Sequence, residues 1–380
     1  MGRFNYAVAS TAVVTVGLGA TAIADDVVES GIHTEYETVQ LVRVVDGLEY
    51  PWSVAFLPEG GYLVTERPGR LNRVDNGDVT EIAGLPDVHV QNQGGLLDVV
   101  LHPDYSDNDL VYFTYSHGDE EGTTVALARG TLDGDELTDV ETLFTQDRLS
   151  GPGRHYGSRL VWLQDGTLLM TIGDRGEEPE RAQDPGDHAG SVVRLNEDGS
   201  VPDDNPYVDN DDVLDEIYSW GHRNIQGMIL NPDSGEIWAS EHGPRGGDEL
   251  NLIQAGGNYG WPTVTLGRDY GTQEQFEGSA RVHEDDMIGP VHEFLPTHAP
   301  SGLALVTSDL FPAWKGDLMA GGLRGERVRR VVLEEGAVVH EEELFYQTIG
   351  RVRDVREGPE GHIYLLSDDE EGALYRVEPE

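Results

Sequence analysis

The residue types best suited to proton transfer lie in polar, glycine-rich segments at the ends of short apolar runs. His155 belongs to Gly153-Arg154-His155-Tyr156-Gly157-Ser158-Arg159, and Asp174 to Ile172-Gly173-Asp174-Arg175-Gly176. Imidazole is the side chain whose ordinary pKa lies near neutrality, so His155 is the leading general base. It starts a strand-like run, and Asp174 stands where the hairpin returns, which would make the two neighbours. A carboxylate there would orient the ring and stabilise its cation. The alternative is a surface histidine, one of 13 in the chain.

A second group of residues suits an anion. Arg223 and Asn224 follow Trp220-Gly221-His222, and Arg351 and Arg353 stand two apart in Gly350-Arg351-Val352-Arg353-Asp354. Side chains alternate along a strand, so both guanidinium groups would project from one face. Two converging cations suit a ligand with several carboxylates; the alternative is ion pairing with the chain's own carboxylates. The loop from Gly243 to Glu249 offers backbone carbonyls together with Asp248 and Glu249. Hard oxygen donors without sulfur suit calcium, although Asp- and Gly-rich loops are common.

The elements that must position these residues read as strands. An apolar run, a turn with Pro, Asp or Gly, and a second apolar run recur six times. The copies are Val54–Val64, Val99–Phe113, Leu160–Met170, Met228–Trp238, Leu303–Met319 and Asp354–Leu366. Their spacing, roughly 45 to 80 residues, predicts an all-β, six-bladed β-propeller with four-stranded antiparallel blades. A two-sheet sandwich is the alternative, but six similar hairpins favour radial repetition. Closure of the ring calls for an early strand near residues 36 to 45 to pair with the last blade. The polar segments then become loops on the rim of a rigid scaffold, where sites are commonly built.

Composition narrows the class. The 380 residues carry 71 Asp+Glu against 25 Lys+Arg, a formal charge of −46, and Lys315 is the only lysine. Such a surface repels phosphate backbones and argues against nucleic-acid binding. Disorder would be the simplest reading of high charge, but 6 Trp, 15 Tyr and 8 Phe recur along the chain and can build a core. Dispersed carboxylates with almost no lysine suggest adaptation to high salt. There is no cysteine, so disulfides, thiolate zinc sites and a cysteine nucleophile are excluded. Residues 4 to 24 are mostly apolar or small and end in Ala22-Ile23-Ala24, a pattern of a cleaved signal peptide over 1–24. Residues 25–35 would be an N-terminal extension and 36–380 the propeller, exported and without membrane insertion once the signal is removed.

Taken together, the motifs resemble those of the soluble glucose/sorbosone dehydrogenase family, whose members are pyrroloquinoline quinone (PQQ)-dependent aldose sugar dehydrogenases. The matching segments are Gln93-Gly94-Gly95-Leu96-Leu97, His155 to Arg159, Ile172 to Gly176, Gly221-His222-Arg223-Asn224, Glu241-His242-Gly243-Pro244, Asp248-Glu249-Leu250-Asn251, Gly257-Asn258-Tyr259-Gly260-Trp261-Pro262 and Arg351 to Asp354. They occur in the family's order over about residues 40 to 378. The resemblance implies a six-bladed propeller holding PQQ over Ca2+ in a cleft at the wide rim. It implies that His155 takes the proton from an aldose C1 hydroxyl while the hydride passes to PQQ, giving an aldonolactone. Asp174 would orient His155, and Arg223 would polarise the quinone oxygen. Gln93, Asn224, Tyr270, Arg324, Arg351 and Arg353 would contact the cofactor. Carbonyls of Gly243 and Pro244 would hold the cofactor calcium, while Asp248, Glu249 and the Tyr259 carbonyl would supply further oxygen ligands.

Three departures stand out. Arg324 occupies a position where the family often has lysine, and arginine is the poorer proton donor. Ile225 follows the Arg-Asn pair where many members have proline. The segment from Glu177 to Gly190, expected at the substrate opening, matches poorly. The competing readings are a non-enzymatic calcium-binding propeller for carbohydrate or protein, and a calcium-dependent sugar lactonase; fold alone does not decide between them. A binding module would not need the His155, Asp174, Arg223 and paired-arginine set, and a lactonase would need inward carboxylates around one calcium but not the convergence of Arg351 and Arg353. Without a haem-attachment motif, electrons must leave to a separate acceptor; the chain is expected as a monomer or homodimer.

Overall fold

Each of the six apolar hairpins becomes the inner pair of strands of a four-stranded antiparallel sheet. The computed structural model describes residues 26–119, 121–276, 278–282 and 286–380, so the expected signal segment lies outside the described residues. The chain enters through β1 (Asp26–His33) and β2 (Thr38–Leu48). Blade one is β3 (Pro51–Phe56), β4 (Tyr62–Glu66), β5 (Arg70–Asp75) and β6 (Asp78–Ile82). Blade two is β7 (Leu96–Leu101), β8 (Leu110–Asp119), β9 (Gly122–Asp133) and β10 (Glu136–Thr145). Blade three is β11 (Leu160–Trp162), β12 (Leu168–Ile172), β13 (Ser191–Leu195) and β14 (Ile217–Trp220). Blade four is β15 (Ile225–Leu230), β16 (Ile237–Glu241), β17 (Asp248–Ile253) and, after the short β18 (Gly257–Asn258) that joins β14, β19 (His292–Phe294). Blade five is β20 (Pro300–Leu305), β21 (Leu318–Gly322), β22 (Arg327–Glu334) and β23 (Ala337–Leu344). Blade six is β24 (Val352–Glu357), β25 (Ile363–Ser367) and β26 (Gly372–Pro379), completed by β2.

The ring is therefore closed by pairing the amino-terminal β2 with the carboxy-terminal β26, as Val39 with Pro379 through Leu48 with Gly372. The segment expected as an N-terminal extension adds β1 to the outer edge of that same sheet. Its side chains are almost all exposed, and the edge pairing supplies its backbone partners.

Hydrophobic burial explains the radial order. Second strands such as β12, β16 and β25 are buried along their whole length, whereas outer strands such as β6 and β23 carry exposed charged residues. A sheet covered on both faces needs continuous apolar sequence; one facing water needs alternation. The core falls into six apolar clusters, one between each pair of adjacent blades, from Leu63 against Phe113 to Tyr364 against Val64. The axis itself is polar. Asp98 on β7 and Asp354 on β24 pair with Arg159 and Arg356 at 2.8 to 3.0 Å, and Ser53 Oγ donates to Asp98 at 2.6 Å. Buried charges survive only when paired in this way. Among the described residues no helix is long and apolar enough to cross a membrane.

Candidate active site

His155 sits just before β11 and Asp174 just after β12, so one hairpin brings both to the same rim. His155 Nδ1 lies 2.6 Å from Asp174 Oδ1. The other oxygen of Asp174 accepts from Trp261 Nε1 at 2.8 Å, and Oδ1 also accepts the Gly176 N–H at 2.8 Å. These donors hold the carboxylate, which holds the ring. The backbone of His155 is left-handed, with φ of 52°, and its N–H donates to Gln93 Oε1 at 2.9 Å. Gly173 makes that loop possible: a Cβ there would lie 2.0 Å from the His155 carbonyl oxygen.

Arg223 completes the group from the next blade. Its Nη2 approaches His155 Nε2 at 3.3 Å, and its Nη1 donates to the Gly243 carbonyl at 2.7 Å. Burial, reinforced by the Arg223 charge and only partly opposed by Asp174, holds the His155 pKa below the ordinary histidine value. The ring is therefore neutral near pH 7, with Nδ1–H donating to Asp174 and the unprotonated Nε2 accepting from Arg223, a long contact that a substrate hydroxyl would displace. For Asp174, burial favours the neutral acid, but His155, Arg223 and Trp261 outweigh it and keep the group ionised.

These residues open into a cleft of about 530 Å³ whose wall also carries Arg154, Glu177, Pro179, Asp269 and Tyr270. Glu177 and Pro179 thus place the start of the poorly matching segment at the opening. A deeper cavity of about 150 Å³ shares Gln93, His155, Arg223 and Tyr270 with the cleft, and Arg67, Asn224, Arg351 and Arg353 line it further in. No carboxylate lines this cavity among the described residues. Asp368 stands behind it, paired with Arg351 at 2.7 Å and Arg353 at 3.0 Å. Burial resists its ionisation, but the two guanidinium groups bring its pKa down to about 2. Gln226 Oε1 accepts from Arg353 Nη1 at 3.1 Å, fixing that arginine further. Four arginines facing one carboxylate leave a surplus of positive charge in a chain whose total is −46. The donor set fits an anionic, multiply carboxylated cofactor.

Other expected residues fall differently. Asn224 Oδ1 accepts the Gly157 N–H at 3.0 Å, so only its amide N–H groups face a ligand. Tyr270 is 62% exposed on the wall. Arg324 is exposed and lines a neighbouring cleft; Leu323, not Arg324, reaches the arginine-lined cavity. The turn between β21 and β22 aims the two successive side chains to opposite sides. Asp248 does not present free oxygens to a metal. Its Oδ1 accepts the Gly243 N–H, and its Oδ2 those of His298 and Ala299, at 2.8 to 3.1 Å, because buried loop donors need an acceptor.

Glu249 lies directly across the ladder from Glu241, with Glu241 buried and Glu249 half-buried. Burial, and then the charge of Glu241, raise the Glu249 pKa well above the carboxylate range. Asn251 Nδ2 donates to both at 3.2 Å, while its Oδ1 is buried without a partner. A cavity of about 10 Å³, lined by Glu241, Glu249, Gly247 and Tyr259, adjoins them. That is about one water-sized sphere of space, bordered by carboxylate oxygens on one side and by Arg223 and His242 on another. No cluster of three or more His, Asp or Glu side chains forms a metal site among the described residues, so carbonyl oxygens would have to complete one.

Sequence reasoning overlooked Trp261, Arg67, Asp368, Glu241 and Gln226 as site residues. Glu241 and Trp261 lie inside recognised motifs, and the alternation of Arg351 and Arg353 called for a carboxylate opposite them.

The family model for glucose/sorbosone dehydrogenases matches residues 48–376. The chain belongs to the glucose/sorbosone dehydrogenase family. It is 38% identical over 348 residues to the aldose sugar dehydrogenase of Escherichia coli, covering 90% of this chain and 93% of the relative. The crystal structure of the soluble E. coli enzyme in its apo form superposes with a TM-score of 0.87, over 90% of this chain and all of that one. The PQQ-bound aldose sugar dehydrogenase of Streptomyces coelicolor is 27% identical, with a TM-score of 0.76 over 92% and 100% of the two chains.

Proposed function

We propose that this member of the family oxidises the C1 hydroxyl of aldose sugars to the aldonolactone, with His155 as general base and PQQ as the hydride acceptor. The observation that carries the reading is the His155–Asp174 pair at the junction of an open cleft and a cavity walled by four arginines. The sugar occupies the cleft with its anomeric hydroxyl at His155 Nε2, which accepts the proton as C1–H leaves as hydride. Asp174 stabilises the imidazolium that forms, and Trp261 keeps the carboxylate aimed. PQQ, when bound, supplies the electrophilic carbonyl that takes the hydride. Arg351, Arg353 and Arg67 would hold its carboxylates, with Gln93 and Asn224 at its edge. Arg223, fixed by the Gly243 carbonyl, stabilises negative charge near His155.

Calcium fits two places. Pro244 lines the cleft, and the Gly243 carbonyl beside it is held by Arg223, with which a cation would have to compete. Glu249 and the unpartnered Asn251 Oδ1, with the Tyr259 carbonyl, suit a structural calcium beside the strand ladder, while Glu241 adds its charge with its own oxygens held by the Arg223 N–H, His222 and Asn251. The apolar amino-terminal segment supports export. A binding propeller or a lactonase has no use for the arginine-walled cavity.

The test is reconstitution of the apoprotein with PQQ and Ca2+, following the PQQ absorbance and dye reduction with a panel of aldoses. Sugar-dependent bleaching of the oxidised cofactor supports the reading. Absence of both a PQQ spectral change and turnover would falsify it.

A further inference from the structure

We infer that a second rim cleft, beside the active site, binds a carboxylate carried by the sugar unit next to the one oxidised, so that acidic oligosaccharides are favoured substrates. This rests on the proposed oxidation of a reducing sugar at His155. The second cleft, about 690 Å³, meets the active-site cleft at Pro244 and Tyr270. For a chain that enters the first with its reducing end, the other is the adjoining place for its second unit.

Three arginines line this cleft: Arg245, Arg324 and Arg327. Arg327 is paired with Glu343 and lies 4.4 Å over the Tyr346 ring. Arg245 and Arg324 are exposed, and neither has an ion pair among the described residues. In a chain with 71 carboxylates, two unpaired guanidinium groups on one wall are a local reversal of the field. The one carboxylate on the wall, Glu326, is engaged by Gln347 at 3.3 Å. Both arginines stand on fixed backbone. Arg245 bridges Arg268 through two 3.0 Å hydrogen bonds, and the turn holding Arg324 is pinned by Leu323 N–H to Ala299 O and Gly325 N–H to His298 O.

The neighbouring cleft sets where the charge belongs. Asp174, Glu177 and Asp269 on its wall outnumber Arg154 and Arg223, so it holds no surplus of positive charge to favour a carboxylate on the oxidised unit itself. Tyr270, 62% exposed at the junction, and the side of the half-exposed Tyr346 that Arg327 does not cover offer ring surface to sugar rings. The favoured ligand therefore has a neutral reducing end and a uronate as its second unit.

Cellobiouronic acid, with cellobiose as its neutral counterpart, is the probe. In the PQQ- and Ca2+-loaded enzyme, kcat/KM should favour the acid by about 3- to 10-fold at low salt, a preference that screening erodes. Arg245→Gln should remove most of that preference and leave cellobiose turnover unchanged. Equal kcat/KM for the two sugars, or an equal loss for both in the variant, overturns the inference. If the variant instead weakens only an anionic acceptor such as ferricyanide, the cleft serves electron exit and the sugar assignment falls. Calorimetric binding of both disaccharides to the PQQ-free protein separates the two levels. Tighter binding of the acid, lost in Arg245→Gln, sustains the cleft even where turnover fails; equal binding rejects the cleft whatever the turnover.

Discussion

At the scale of residues, the reaction turns on a neutral imidazole held between an anion and a cation. His155→Ala should lower kcat by about 10² to 10⁴ while PQQ binding, followed by its absorbance, stays close to wild type. Because folding lowers the His155 pKa, the base is competent at and above the ordinary histidine value, and kcat/KM should fall only at more acid pH. Asp174→Asn removes the one charge that raises this pKa, so the acid limb should move further down as kcat drops. A limb that moves upward would show that Asp174 does not face the ring in solution. The His155–Asp174 pairing was legible in the sequence because one hairpin carries both. Trp261 and Arg223 come from distant segments, and only the closed ring brings them to Asp174.

At the scale of elements, the ladder of blade four presents an unusual pair. Two glutamates directly opposed on β16 and β17 repel unless one is protonated or a cation intervenes. Ca2+ should therefore raise the Tm, with about 2.7 kcal/mol of stabilisation at a hundredfold excess over Kd. Glu249→Gln should abolish most of that gain; a Tm that follows Ca2+ unchanged in the variant would place the ion elsewhere. The closing strand gives a second contrast. Leu41 on β2 is fully buried, so Leu41→Ala should cost about 2–5 kcal/mol in denaturant titration. Val28→Ala on the exposed β1 should stay within about 0.5 kcal/mol. Inner hairpins were readable because both their faces are covered and their sequence is continuously apolar. Outer strands such as β1 and β6 were not, since exposed, charged strands look like loops.

At the scale of the whole molecule, charge is the dominant property. With 71 acidic against 25 basic residues, self-repulsion opposes the compact state. Raising KCl from about 0.01 M to 1 M shortens the Debye length from about 30 Å to 3 Å, and the Tm should climb across that range. A Tm indifferent to salt would leave the acidity without a stabilising medium. The propeller itself was legible from the repeat, whereas its site was legible only as a set of separate motifs. What the motifs lacked was the third dimension: which arginines share a wall, and which carboxylate stands behind them.

The Arg159–Asp98–Arg356–Asp354 cluster on the axis has a bearing on where the electrons leave. Its side chains fill the centre of the ring below the arginine-walled cavity, on the way to an apolar recess that Arg356 also borders at the far face. A propeller stoppered in this way is a vessel with a single lip. An acceptor of electrons from the reduced cofactor would then be expected on the rim that also admits the sugar, in the active-site cleft or in the second cleft beside it. Inhibition of dye reduction by excess sugar would place the acceptor in the active-site cleft, and its absence in the second.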